Sequence, residues 1–286
     1  MKTLLAGLML VCISTATDAR TLTFGEAVLN HLIEFQVKAE TNNDRRMQMT
    51  MNNISNDDLE VEIETGRVFY ASEEGYQPFV ITRTAVIALE KGSRKITWHH
   101  ARCGNSGAKA PSGKVSFTRS AMGPKDMVIT LNKMNGMQIV SSCLYQAVVW
   151  HYTNNHSMSD ITASDVSEPV LLALTSDICN REHKSPSWYS KEYAPPVSGN
   201  DLEFSGVASR ISAKLNLLLP RESDLEVQLR AENGKVIRIV KVCLHQPPGT
   251  LVLPIDLNVH GMTNGKYSIC VVNQDKRLVL EREFYI

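Results

Sequence analysis

Two stretches of this chain alternate apolar and polar residues with a period of two, and between them runs a stretch with a helical period. In the first, residues 27–120, Met47, Met49 and Met51 alternate with polar neighbours, as do Leu59, Val61 and Ile63, and then the run 80–86. A period of two sends alternate side chains to opposite faces of a strand, so each run predicts a strand with one apolar face. Asn52-Asn53, Asn56-Asp57-Asp58, Glu64-Thr65-Gly66 and Lys91-Gly92-Ser93 supply the turn chemistry between runs. Several short strands at this spacing predict a sandwich. The Gly-, Ser-, Ala- and Pro-rich segment 103–114 reads as a surface loop.

From Pro124 the period changes. Met127, Leu131 and Met134 recur at helical spacing and Gly136 stops that helix. A second helix is predicted over 140–151 and a third over 166–179. In the second, Cys143, Gln146, Ala147 and Trp150 stand at i, i+3, i+4 and i+7, a spacing that predicts one shared face with Trp150 buried. Residues 181–201 hold Pro186, Pro195, Pro196 and Gly199, lack a period and read as a linker. Their aromatics Trp188, Tyr189 and Tyr193 would either contact a ligand or, the more expected outcome, pin the linker onto a domain face.

Alternation returns from Leu202. Residues 211–219, 225–229, 236–244, 251–257, 267–271 and 278–284 predict six or seven strands. Asn233-Gly234 predicts a two-residue hairpin of type I′, whose central residues both need positive φ. Chain order therefore predicts a mostly β protein: a β-sandwich with a helical insert over 20–180, the linker 181–201, and a second β-sandwich over 202–286.

The head adds a location. Lys2 precedes the apolar run 4–13, and Thr17-Asp18-Ala19 offers small residues where a signal peptidase cuts, so 1–19 is expected to be a signal peptide. Cys12 follows Val11, where a lipobox takes a small residue. No segment reaches the ~18 apolar residues of a membrane-spanning helix. Lys+Arg and Asp+Glu each number 30, with no basic stripe of the kind a nucleic-acid partner requires. Past the signal stand Cys103, Cys143, Cys179, Cys243 and Cys270, an odd set that leaves at least one thiol unpaired even where disulfides form. None has the C-x-x-C spacing of a zinc knuckle or a thioredoxin-like site. Cys243 and Cys270 fall on strands that a Greek key can make neighbours. Parity turns Cys270 outward from Tyr267, Ile269 and Val271, so free, semi-buried thiols are expected there.

Gly234-Lys235-Val236, a long strand, Pro248-Gly249, and then Gly261-Met262-Thr263-Asn264-Gly265-Lys266-Tyr267 follow one another in the tail. This cadence resembles the immunoglobulin-like domains of flagellar hook-capping proteins and of Bacteroidetes-type sorting modules. The resemblance covers about 205–286 and implies an immunoglobulin-like sandwich that serves as spacer or sorting module. The ending Arg282-Glu283-Phe284-Tyr285-Ile286 departs from the sorting pattern. Gln146-Ala147-Val148-Val149-Trp150 resembles the Gln-x-Ala-Ile-Trp signature of thioester domains on bacterial adhesins, with Val148 in the Ala place. That resemblance, over about 45–160, implies an internal thioester between Gln146 and a cysteine on the β part, Cys103, which a host amine would attack. Without that chemistry, Gln146 would hydrogen-bond loop backbone while its neighbours pack on the sandwich.

Other residues suggest chemistry less specifically. Alternate methionines 47, 49 and 51 are soft enough for Cu(I) but read more simply as one core face. His99 and His100 are adjacent, so a strand points them apart, and with His151 and His156 they are expected to face solvent. Gly104-Asn105-Ser106-Gly107 resembles the nucleophile loop of trypsin-like proteases, yet reads equally as an Asn/Gly turn. Asp57-Asp58 and Glu73-Glu74 sit in turns as solvated charge, and the sequons at Asn53 and Asn155 matter only in a eukaryotic host. The expectation is thus a secreted or cell-surface, non-enzymatic interaction protein without cofactor or metal, whose partner is an unknown protein or glycan surface ligand. The alternative is a covalent adhesin with a Cys103–Gln146 thioester.

Overall fold

The structure, a computed structural model, describes residues 20–42, 45–197 and 202–286; the expected signal segment 1–19 lies outside them. The chain opens with β1 (Arg20–Thr23), α1 (Phe24–Leu29), β2 (Ile33–Asn42) and β3 (Arg45–Asn53). There follow β4 (Leu59–Ile63), β5 (Arg67–Ala71), β6 (Phe79–Ile81), β7 (Ala85–Leu89), β8 (Arg94–His99), β9 (Ala101–Cys103) and β10 (Ser116–Met122). They form a seven-stranded sheet in the order β8-β3-β2-β10-β5-β6-β9 and a three-stranded sheet in the order β1-β4-β7.

Between these two sheets lies the front core. Met47, Met49 and Met51 are fully buried on β3, and Leu59, Val61 and Ile63 face them from β4, so the alternation expected from sequence carries the sandwich. Phe24, Phe35 and Phe69 add edge-to-face contacts with ring centroids 5.0–6.1 Å apart. The run expected as one strand over 80–86 is instead two, because the chain turns at Thr82–Thr84 and delivers β6 and β7 to different sheets. Helix α1 lies where strands were expected. Its signal was local: Thr23 and Glu26 make a capping box, with Glu26 N donating to Thr23 Oγ1 at 3.2 Å and Thr23 N to Glu26 Oε2 at 2.8 Å.

Three helices cover the outer face of the large sheet: α2 (Lys125–Gly136), α3 (Ser142–Asn154) and α4 (Glu168–Glu182). Val68 and Val80 point out of the sheet into a second core with Met127, Leu131, Leu144, Val148, Leu174 and Ile178. Gly66 lets α2 approach: its φ is +85°, and a Cβ there would lie 2.5 Å from Val128 Cγ2. On α3 the core face is Leu144, Tyr145, Val148 and Val149. Cys143, Gln146, Ala147 and Trp150 do share a face, but it turns away from this core; Cys143 is exposed, while Trp150 is buried by other means.

The stretch expected as a linker contains β11 (Tyr189–Tyr193), which pairs antiparallel with β12 (Ala208–Leu219). The tail continues with β13 (Ser223–Ala231), β14 (Val236–Gln246), β15 (Gly249–Asn258), β16 (Lys266–Asn273) and β17 (Leu278–Tyr285). Sheets β11-β12-β15 and β14-β13-β16-β17 stack over a core that includes Ile211, Leu215, Val227, Leu229, Ile255, Ile269 and Phe284. Trp188 and Tyr189 pin the entry to this sandwich: the Trp188 indole donates to Glu283 O at 2.7 Å, and both rings pack on Phe284.

The Asn233-Gly234 hairpin forms, but not as a two-residue type I′ turn. Gly234 is left-handed (φ +79°), Gly234 N donates to Ala231 O, and Ala231 N closes the loop on Lys235 O. That is a three-residue loop, and a register shift between Leu229 and Arg230 absorbs the extra residue. Cys243 and Cys270 are not on neighbouring strands, since β13 runs between β14 and β16. Both are free and buried. Cys270 takes the outer-face parity expected, and its register neighbours Gln228 and Glu281 cover it there.

Candidate ligand cleft at the domain junction

Strand β9 ends at Cys103, and α3 starts under a Ser141 N-cap whose hydroxyl accepts Leu144 N at 3.2 Å and donates to Asp165 at 2.6 Å. This cap fixes the second turn of α3 against β9, and so brings Gln146 to Cys103. Gln146 Nε2 donates to Cys103 O at 2.6 Å, and Cys103 N donates to Gln146 Oε1 at 3.2 Å. A primary amide pairing with one residue's N–H and C=O needs a donor and an acceptor on one planar group, which Gln provides. The two residues that the sequence singled out therefore meet, through carboxamide and backbone.

The Cys103 thiol itself is fully buried, beside the Glu203 carboxylate. Burial pushes it well above the usual thiol range; the Glu203 charge adds to this, and Arg46 and Arg102 only partly oppose it. It is a neutral thiol across the physiological range. Glu203 is ion-paired with Arg46 through both terminal guanidinium nitrogens, one at 3.1 Å. Burial works to raise the Glu203 carboxyl, but Arg46's hydrogen bond and charge outweigh it and hold the group below the usual carboxylate range. Arg102 is buried beside them, donating to Ser142 O at 3.2 Å and Ala101 O at 2.7 Å.

Trp150 is buried by residues from outside its helix. Phe204 and His156 lie on it with centroids 5.3 and 5.6 Å away, and Tyr193 packs on Phe204 at 4.6 Å. Among the described residues its buried indole Nε1 has no hydrogen-bond partner. Together these residues wall a cleft of about 860 Å³, with Arg102, Ser142, Cys143, Gln146 and Ala147 on one side and residues 191–196, Glu203 and Phe204 on the other. The missed members, Arg46, Glu203 and Phe204, carry no motif; what could have drawn attention is a long irregular stretch of Pro, charge and aromatics between strand runs.

The Gly104-Asn105-Ser106-Gly107 loop comes close to a nucleophile relay. Ser106 Oγ is 2.9 Å from His156 Nε2, and His156 Nδ1 is 3.9 Å from Asp160 Oδ2. The His–Asp distance is too long for a hydrogen bond, and Asp160 Oδ2 accepts Ser157 N at 3.0 Å. Ser106 N and Gly107 N, the donors such a loop would aim at an oxyanion, are committed to Asn154 and Asn105. Burial depresses His156 below its usual range, against the opposing charge of Asp160. The arrangement works as a buried polar brace. His99 and His151, expected at the surface, are buried; His99 lies 2.7 Å from Thr97 Oγ1 and His151 Nε2 2.8 Å from Glu182. Among the described residues no group of three His, Cys, Asp or Glu is placed to hold a metal ion.

No family model matches this chain, and no curated protein does. Among solved structures, two of β-glucosidase from Kluyveromyces marxianus are similar to it at a low level. The selenomethionine-labelled one has a TM-score of 0.22 and 11% identity over 84% of this chain and 44% of that one. The complex with glucose has the same score and identity over 88% and 50%. The chain thus spans about half the length of the structures it matches, and at this score the likeness carries no argument about fold or activity.

Proposed function

We propose that this is a secreted or cell-surface, non-enzymatic interaction protein that presents the junction cleft to a protein or glycan surface ligand, with the tail sandwich as spacer or sorting module. The cleft carries this reading. It combines aromatic surface at Trp150, Phe204 and Tyr193 with fixed polar groups at Arg102, Gln146 and Ser142, the mixture typical of ligand sites. The orphaned Trp150 Nε1 adds an unused donor in its wall. Ala147 faces the cleft from α3 without entering the helical core, so Ala147→Arg fills the site while sparing the fold. Binding to panels of glycans and extracellular proteins should fall at least ~10-fold in that variant, since an ion-sized obstruction removes more than ~1.4 kcal/mol of contact. Binding that survives unchanged would sink the reading.

One observation favours a second reading, a covalent adhesin: the Gln146 carboxamide lies against Cys103. In that chemistry the thiol sulfur bonds to Gln146 Cδ and ammonia leaves. A ligand amine then attacks the same carbon, forming an amide and returning the thiol. The mature protein would weigh about 17 Da less than its sequence, the mass of the lost ammonia, and methylamine would add to it. A mass equal to the sequence, unchanged by methylamine, would dismiss this reading and leave the first intact.

A further inference from the structure

Strands β11 and β12 are hydrogen-bonded neighbours, yet residues 194–207 join them, where ~2–5 residues close a hairpin. Residues 202–204 of that connection reach the front domain. Leu202 forms an antiparallel bridge with Lys109 of the front domain, Glu203 pairs with Arg46, and Phe204 enters a ring of Trp150, His156 and Tyr193 at centroid distances of 5.3, 4.8 and 4.6 Å. Ser205 then returns the chain, donating to Ala194 O at 2.7 Å. Two adjacent side chains, an acid and an aromatic, thus fill two adjacent recesses: a guanidinium that takes a carboxylate in fork geometry and an aromatic cage that takes a phenyl ring.

We infer that this pair of recesses is a receptor for an acidic–aromatic peptide segment, occupied in this state by the chain's own Glu203-Phe204, and that a protein partner carrying such a segment displaces the strap and seats in its place. The inference rests on the reading of the cleft as the ligand-facing surface and names the chemistry of the ligand. Three observations support exchange. Glu203 and Phe204 are half-buried rather than sealed, so a competitor can reach them. The cleft of about 860 Å³ is lined by Gln146 and Arg102 as well as by Glu203 and Phe204, leaving room for residues that flank the incoming pair. Trp150 Nε1 finds no acceptor among the described residues, so the resident pair does not use every group the receptor offers. A tethered segment acts at an effective concentration of about millimolar, so a free peptide competes poorly until the strap is weakened.

The test is a titration of the full chain with the capped peptide Leu-Glu-Phe-Ser. Glu203→Ala/Phe204→Ala protein should bind it saturably, with half-saturation below about 0.1 mM, and wild type should bind at least ~10-fold more weakly because its strap competes at about millimolar effective concentration. Arg46→Ala in the strapless background, or Gln for Glu in the peptide, should each weaken binding by at least ~10-fold, the loss of a charge-assisted fork. A folded strapless protein with no saturable binding, or binding indifferent to Arg46, overturns the inference. Hydrogen exchange on wild type covers a strapless variant that does not fold: amides 203–205 must exchange faster than those of β12 and α3, and exchange only with global unfolding also overturns it. A wild-type dimer that Phe204→Ala abolishes would assign the receptor to a second copy of this chain and overturn the foreign-partner assignment. If the peptide fails while Ala147→Arg still blocks binding to surface ligands, this inference falls and the proposed function stands.

Discussion

Trp150→Ala removes the largest side chain in the cleft wall without touching either sandwich core. Trp150 is 9% exposed, packed against His156 and Phe204. A Trp buries on the order of 200 Å², which at about 25 cal/mol per Å² bounds the loss near 5 kcal/mol, and truncations of this size in cores cost about 3–5 kcal/mol. Two features of this site lower the figure. The void opens onto a cleft, so water and Phe204 can move in. The deleted Nε1 has no hydrogen-bond partner among the described residues, so its removal lifts a desolvation penalty of about 1 kcal/mol. The expected cost is therefore about 2–4 kcal/mol. Urea unfolding should report it, provided front helices and tail sheet are followed by separate probes, because a chain with separate hydrophobic cores need not unfold in one step. The transition that involves the helices should shift while the tail transition stays in place. A loss below about 1 kcal/mol, or an equal shift of both transitions, would refute the placement of Trp150 as a front-domain wall residue sealed by the strap.

Gln146→Glu replaces the donor to Cys103 O with a carboxylate facing that carbonyl, and should destabilise the front domain by about 2–3 kcal/mol, read from the same urea transition. Glu203 is held ionised in the folded state. Its contribution is thus present above the unfolded carboxyl range, near ~4.3, and is lost as pH falls through the lower folded value. Glu203→Gln should cost about 1 kcal/mol at neutral pH after solvent screening, and the gap to wild type should close below about pH 4. Exposed Cys143 should alkylate first, with the buried Cys103, Cys179, Cys243 and Cys270 reacting only on unfolding, and non-reducing peptide maps should hold no Cys243–Cys270 link. A tail fragment beginning at Pro186 should unfold cooperatively and exceed one beginning at Ser205 by about 3 kcal/mol, because the shorter one strips β11, Trp188 and Tyr189 from Phe284.

Local periodicity carried most of this fold. The six tail runs lie within β12 to β17, and the three helical runs within a few residues of α2, α3 and α4, because amphipathic spacing decides which face is buried before any partner is known. What the pattern misjudged depends on neighbours in space. The 143/146/147/150 stripe on α3 has helical spacing, yet the sheet takes Leu144, Val148 and Val149, and the stripe meets the strap instead. Tyr189–Tyr193 has no alternation because its β character comes from pairing with β12, not from an apolar face. His99 and His151 are buried because polar neighbours satisfy them, among them Thr97 for His99 and both His156 O and Glu182 for His151, which composition cannot foretell. Within the site, Cys103 and Gln146 were legible as a pair. Arg46, Glu203 and Phe204 were not, since their meaning comes from a contact between residues 157 positions apart.

The most direct test of the ligand cleft is one binding isotherm on a ligand identified from the surface panels, followed by denaturation of the complex. Wild type should bind saturably, Ala147→Arg at least ~10-fold more weakly, and denaturant should release all of the bound ligand, because nothing covalent holds it. Equal isotherms for the two proteins would contradict the cleft, and ligand that stays attached after denaturation would contradict the non-covalent mode.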